Sequence, residues 1–379
     1  MAMDLQQRLD LLTTASRFDL ACACKYPDEP GRQRGPDGRW IYPAVLPGGR
    51  KVMLLKVLQT NACANDCTYC PFNSNRHIPR CSLRPEELAK TFMDLLKADR
   101  VSGLFLSSGV QGGPDRTMDR MLQTVEILRR RFGFKGYIHL KVIPGASRAA
   151  IEQAVRMATR VSVNIEAPTE QHLARLSSRK RFYQDIIAAM QAISDLRGSL
   201  NPRCQQTTQF VVGAAGETDK QIVTATARLY ERFRMERVYF SAYQAPDPSP
   251  KGIHDLFGQE IYQADTQIAK GVIREHRLYQ ADFLIRRYGF SRDEIPFDQD
   301  GNLSLEQDPK TLWANLHPEF FPVPINKAQR WQLLRVPGIG LKGADRIIAA
   351  RCQGPFRTIE DLARLGIRLK AARPYIRLD

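Results

Sequence analysis

The chain has 379 residues, 43% of them hydrophobic and 25% charged, a composition suited to a soluble globular protein of one large domain and one small one. No apolar run is long enough to span a membrane, the N-terminus lacks a basic-then-apolar signal pattern, and a cytoplasmic location without membrane association is expected. The formal net charge of +16 suggests a polyanionic partner, nucleic acid first; the alternative is a basic surface that serves solubility.

Residues 1–50 read as an N-terminal extension. Eight cysteines are too few and too uneven for a disulfide framework, so a cytosolic metal site is favoured. Cys22 and Cys24 form an isolated C-x-C, either a further ligand pair or reduced thiols. An apolar run over 51–59 predicts the first strand. It leads into Asn61-Ala62-Cys63-Ala64-Asn65-Asp66-Cys67-Thr68-Tyr69-Cys70-Pro71-Phe72, with the spacing C-x3-C-x2-C. Three such thiolates can hold three irons of a [4Fe–4S] cube and leave the fourth iron open to a small molecule. Structural zinc is the rival, with Cys81 or His77 as fourth ligand, but no second knuckle follows. The spacing, with Tyr69 before the third cysteine, resembles the signature of radical S-adenosylmethionine (SAM) enzymes. The resemblance implies that Cys63, Cys67 and Cys70 hold the cluster and that SAM chelates the open iron through its amino and carboxylate groups.

Further strands are predicted at 101–107, 137–143, 161–166, 207–213 and 237–243. Amphipathic stretches near 84–98, 116–131, 147–158, 181–195 and 217–234 separate them. Six strand–helix units in series argue for parallel strands with right-handed crossovers. The fold expected is α/β: a radical SAM partial (β/α)6 barrel over 51–250, then a small all-α helix-hairpin-helix domain over 326–379. Residues 251–325, with a long helix near 258–289 and a polar turn at Asp298 and Asp300, bridge the two.

Ligands of such sheets sit at the C-terminal strand ends. Ser107, Ser108 and Gly109 follow the second strand. By the resemblance they occupy the place of a Gly-Gly-Glu run that binds the SAM amino group; the glutamate is missing, so carbonyls or Ser107 must serve. His139 and Lys141 share a face of the third strand. Asn164 and Glu166 share a face after the fourth and suit contacts to SAM ribose or amine; satisfied polar groups of the barrel interior are the alternative. Arg179, Lys180 and Arg181 either reach a carboxylate or phosphate or form a solvated turn. Gly213, in Gly213-Ala214-Ala215-Gly216-Glu217-Thr218, lets backbone approach a ligand and resembles the adenine-contacting loop of the superfamily. With Tyr69, these are the candidate SAM contacts. Tyr239, Ser241 and Tyr243 line either the substrate side or the core, before a rigid turn at Ala245–Pro250.

Residues 326–379 carry twelve basic and four acidic side chains, half of the net charge. Within them Pro337-Gly338-Ile339-Gly340 sits between two helical patterns. This resembles a helix-hairpin-helix, in which backbone N–H groups at a helix N-terminus grip phosphate without reading sequence. Lys342 and Arg346 add charge. A degenerate second copy follows, with Leu365-Gly366-Ile367. The alternative is a hairpin that docks a protein.

The runs Gly103–Gly109, Gly136–Lys141, Arg277–Asp282 and Leu334–Gly340 resemble a family of DNA modification and repair radical SAM proteins that accompany a uracil-DNA-glycosylase-like partner. That resemblance implies an enzyme fed by a reductant protein such as flavodoxin or ferredoxin. It would generate a 5′-deoxyadenosyl radical to modify or repair DNA, on a nucleotide extruded or already unpaired. Two other readings fit these residues: an RNA-modifying radical SAM enzyme, and a redox-sensing iron–sulfur DNA-binding protein without SAM chemistry.

Overall fold

The computed structural model describes residues 3–16, 33–34, 40–45, 51–244, 253–254, 260–262 and 264–379. Cys22, Cys24 and the turn at 245–250 lie outside them. The chain forms two compact units, 1–217 with 228–271, and 218–227 with 272–379.

The first unit opens with α1 (Leu5–Ala15), started by an Asp4–Gln7 capping box. An eight-stranded sheet follows in sequence order. Its first two strands, β1 (Gln33–Arg34) and β2 (Trp40–Val45), pair antiparallel and were not expected. They precede β3 (Lys51–Leu58), β4 (Gly103–Ser107), β5 (Tyr137–Lys141), β6 (Arg160–Ser162), β7 (Gln205–Val212) and β8 (Arg237–Ala242). From β3 to β8 every neighbour is parallel. These six strands make the curled half-barrel expected of a radical SAM partial (β/α)6 barrel.

Crossovers run through α2 (Pro85–Lys97), α3 (Pro114–Glu126), α4 (Arg148–Met157), α5 (Glu170–Leu176) with α6 (Ala188–Leu200), and α7 (Asp219–Phe233). Local chemistry starts several of them. Pro85 takes the first turn of α2 with Glu86 and Glu87 behind it, and the Ser147 and Thr169 side chains accept the free N–H groups of α4 and α5. Alternation sorts the strand faces. Leu55, Val57, Leu104, Leu106, Ile138, Leu140, Val161, Val238 and Phe240 are buried on the helix side. Lys56, His139, Arg160, Gln205, Thr207, Arg237 and Tyr239 alternate with them on the inner face. A small apolar cluster of Val52, Leu54 and Phe105 with Tyr137 closes the N-terminal end of that face.

Beyond β9 (Ile253–His254) and β10 (Glu260–Tyr262), α8 (Ala264–Phe283) carries the chain into the second unit. There, α9 (Pro309–Leu316), β11 (Val323–Pro324), α10 (Arg330–Arg335), α11 (Leu341–Arg351), α12 (Leu369–Ala372) and β12 (Ile376–Arg377) surround one apolar cluster that includes Leu333, Ile339, Ile347, Leu362 and Ile367. The turn expected at Asp298 is present, closed by Gly301 N–H on the Asp298 carbonyl at 3.0 Å.

Helix α1 is tied to α2 by Arg8, whose guanidinium donates to both oxygens of Glu87 at 2.9 and 3.0 Å and to Ser82 O at 2.8 Å. Arg8 holds the Glu87 carboxyl down at about 2. A depressed carboxylate contributes stability above its unfolded value, lost as pH falls through the folded one. Glu87→Gln should cost about 1–3 kcal/mol near neutral pH, measured by urea unfolding. The deficit should vanish as wild type and variant converge below about pH 2. Equal stability at pH 7 would mean that the pair does not anchor α1.

Candidate functional site

The cysteine loop leaves the C-terminal end of β3 and is closed at its base. Asn61 donates to Pro79 O at 2.9 Å and accepts from Cys81 N–H at 2.8 Å. Arg80 fans its guanidinium over four carbonyls, Asn61, Phe72, Asn73 and Arg76, at 2.6–3.0 Å. One side chain thus holds both ends of a loop that has no regular backbone pairing of its own.

The loop after β4 docks against it. Gly109 N–H bonds Thr60 O at 2.7 Å, Ala64 N–H bonds Val110 O at 2.8 Å, and Val110 N–H points at Cys63 Sγ at 3.4 Å. Approach at Gly109 is so close that a Cβ there would lie 2.4 Å from Ala62 O and 3.2 Å from Cys63 Cβ. Ser107 is buried, and its carbonyl accepts Gln59 N–H at 2.8 Å. Ser108 Oγ turns back on Gly109 O at 2.7 Å.

A third segment, 176–180, straps the loop from the opposite side. Thr68 N–H bonds Leu176 O at 2.9 Å, and Arg179 reaches Ala64 O at 2.6 Å. Ser177 and Ser178 both donate to Asp66. Burial works to raise the Asp66 carboxyl, but these hydrogen bonds outweigh it and hold the group at about 2. Lys180 ends the strap. Its ammonium lies 3.0 Å from Glu166 Oε1 and 3.0 Å from Tyr69 OH, with side-chain exposures of 10% for Lys180 and 6% for Glu166. Burial opposes its charge, yet Cys67 and Glu166 outweigh that and raise its pKa. Asn164 Nδ2 reaches Glu166 Oε2 at 3.5 Å. The two side chains thus lie together, although β6 ends earlier, at Ser162, and Glu166 adopts a left-handed φ of 65°.

None of the three cysteines is in a disulfide. Burial pushes Cys70 up to about 12, and neighbouring Cys67 and Cys63 add to the rise. Phe72 N–H meets Cys70 Sγ at 3.4 Å, as Val110 N–H meets Cys63. Soft sulfur donors that already accept backbone N–H bonds fit an iron–sulfur cluster, whose potential depends on such bonds. Among the described residues, no three His, Cys, Asp or Glu side chains gather around a single-ion position. Cluster cysteines bind separate irons and need not converge on one point. Cys81, a candidate fourth ligand for zinc, lies against Arg8 O at 3.9 Å.

Gly213 has a left-handed φ of 88°, and its N–H is held by Glu217 Oε1. Glu217 Oε2 accepts Ala215 N–H at 3.0 Å, so one buried carboxylate organises the loop after β7. This loop follows Val211, whose N–H bonds Glu166 O at 2.9 Å. Sequence reasoning missed Asp66 and Arg80 and left Lys180 open between a ligand and a solvated turn. Of the basic run Arg179 and Arg181 are both exposed, the latter paired with Asp185, and Lys180 alone turns inward.

In the second unit, α10 and α11 flank the Pro337–Gly340 hairpin. Gly338 has φ +81°, and a Cβ there would lie 2.7 Å from Arg368 O, so the second copy packs against the first. Gly366 repeats the turn at φ +75°, and Ile339 and Ile367 are both buried. Lys342 is exposed. Arg346 spends one N–H on Leu365 O at 2.9 Å, next to the second hairpin. Lys310 supports the first from below, donating to Ile339 O at 2.7 Å over the Tyr288 ring.

Residues 57–229 match the model of the Radical SAM superfamily, and residues 321–367 match the helix-hairpin-helix motif. The chain therefore carries a radical SAM domain and a helix-hairpin-helix motif. Radical SAM proteins bind a [4Fe–4S] cluster and SAM. No curated protein matches the chain in sequence. Similar solved structures include the FeFe-hydrogenase maturase HydG from Carboxydothermus hydrogenoformans, at 14% identity over 59% of this chain and 51% of that one, with a TM-score of 0.45. Methylornithine synthase (PylB) is 17% identical over 61% of this chain and 63% of that one, with a TM-score of 0.44. The enzyme anSMEcpe with bound AdoMet is 15% identical over 61% and 62%, with a TM-score of 0.40. The chain spans about half the length of HydG.

Two outcomes follow from this geometry. Lys180→Met leaves Glu166 buried without its partner and should cost about 3–5 kcal/mol. Lys180→Met with Glu166→Gln should recover much of that loss in the same denaturant titration. Gly109→Ala should lower iron content several-fold after anaerobic reconstitution, because the added methyl drives the Ala62–Cys63 segment away from the loop after β4. Full iron in that variant would show that the loops tolerate separation.

Proposed function

We propose that the protein is a radical SAM enzyme that modifies or repairs nucleic acid, with DNA as substrate. One observation carries the reading: a C-x3-C-x2-C loop at the C-terminal end of the first parallel strand of a radical SAM domain, in the same chain as a helix-hairpin-helix motif. Cys63, Cys67 and Cys70 hold the cluster, and Tyr69, Ser107, Ser108, Gly109, Asn164, Glu166 and Gly213 surround SAM. Bound together, the cluster and SAM supply an electron and a 5′-deoxyadenosyl radical able to take hydrogen from a substrate. A flavodoxin or ferredoxin is the reductant.

The chain's own residues do the rest. Arg80 and Asp66 keep the cysteines in register before iron arrives. The Lys180 ammonium works against the burial that raises the Cys70 thiol. Half-buried Tyr69 and Phe72 shield the loop from water, which protects a radical from solvent. Pro337, Gly338, Ile339 and Gly340 present backbone to DNA phosphate, with Lys342 and Arg346 as cations. A uracil-DNA-glycosylase-like protein is the partner that the sequence resemblance implies.

Anaerobic protein given SAM and dithionite should release 5′-deoxyadenosine, and Cys63→Ala, Cys67→Ala or Cys70→Ala should abolish it. Iron without 5′-deoxyadenosine would favour the redox-sensing reading. Lys342→Glu should weaken duplex DNA binding and lower the salt slope by about one log unit per log salt. Stronger competition by tRNA than by duplex DNA would move the substrate to RNA.

A further inference from the structure

The inner face of the half-barrel carries a cationic field that the SAM and hairpin contacts do not use. Two registers run across it. Lys56, Phe105, His139, Arg160 and Gln205 pair side by side, and Lys141, Ser162, Thr207 and Arg237 form the next row toward the C-terminal ends. Neither row contains a carboxylate. Arg160 is 8% exposed, and among the described residues it makes no ion pair. Its guanidinium bonds Gln205 Oε1 at 3.0 Å and Tyr239 OH at 3.3 Å, and lies 5.8 Å from the centre of the Tyr137 ring. All three partners are neutral. A buried charge without a counter-charge is costly. His139 bonds Ser162 Oγ at 2.8 Å, and its pKa is lowered by burial first and then by Arg160, Lys141 and Lys56.

The second observation is independent of charge. Thr207 is 1% exposed, and its Oγ1 has no hydrogen-bond partner. It stands at the centre of the second row, between Ser162 and Arg237. An orphaned hydroxyl there is a donor in want of an acceptor.

We propose that this inner face is a substrate subsite that binds a nucleotide phosphate, with Thr207 Oγ1 and the Arg160 guanidinium as its specific donors and His139, Lys141 and Arg237 around them. The inference rests on the reading of the protein as a nucleic-acid enzyme and adds where its reacting nucleotide is held. Phosphate suits the site because it offers several acceptor oxygens and a counter-charge at once. The source is either a strand entering the half-barrel or a free nucleotide.

The test is calorimetric titration of the full-length, anaerobically reconstituted protein with thymidine 5′-monophosphate, thymidine and the trinucleotide of thymidine. The monophosphate should bind at least tenfold more tightly than thymidine. Thr207→Val, nearly isosteric and removing only an unpartnered hydroxyl, should keep the melting temperature and iron content while weakening monophosphate binding about tenfold. Arg160→Gln should weaken it further. A trinucleotide that binds more tightly than the monophosphate assigns the phosphate to a strand; equal binding assigns a free nucleotide. Thymidine binding as well as its monophosphate, no monophosphate binding at millimolar concentration, or unchanged affinity in Thr207→Val would overturn the proposal. The readout does not depend on SAM cleavage. A protein that binds phosphate but yields no 5′-deoxyadenosine would refute the activity and leave the subsite standing.

Discussion

The Lys180 ammonium joins three segments: the cysteine loop through Tyr69, the stretch after the fourth parallel strand through Glu166, and the strap that begins at Leu176. Its burial makes this contact decisive. In a low-dielectric setting an ammonium and a carboxylate must find each other or destabilise the fold. The ammonium also works against the burial that raises the Cys70 thiol.

Around it, the parallel sheet imposes a division of labour. Outer-face residues such as Leu104, Leu140 and Val161 are fully buried against helices. That frees the inner face to be polar, and it is: lysine, arginine, histidine, threonine and glutamine follow one another across the strands. A packed barrel would fill this space with apolar side chains. Here a small apolar cluster of Val52, Leu54, Phe105 and Tyr137 occupies the N-terminal end.

The second unit solves a different problem with a repeated turn. Gly338 and Gly366 take the same left-handed conformation, and Ile339 and Ile367 plug one apolar cluster. Each hairpin braces the other, through Gly338 against Arg368 O and Arg346 on Leu365 O. Mutual packing of the two short motifs holds both turns in place.

The sequence by itself determined the parallel strand order, the place of the cysteine loop and the hairpin turns. Each of these depends on local signals: period-two alternation, fixed cysteine spacing and glycines where a side chain is excluded. It left β1 and β2 unread, because β1 is only two residues long and Pro43 interrupts the strand pattern of β2. It placed Asn164 and Glu166 on a strand that in fact ends at Ser162, since polar residues after a strand look like its continuation. Only the tertiary structure decided which basic residue of Arg179–Arg181 turns inward. Three adjacent cations are equivalent in sequence; what separates them is whether Ala64 O, Glu166 or Asp185 lies within reach, and those partners come from other segments. The role of Arg80 was hidden for the same reason. Its four carbonyl partners exist only after the loop has closed around it.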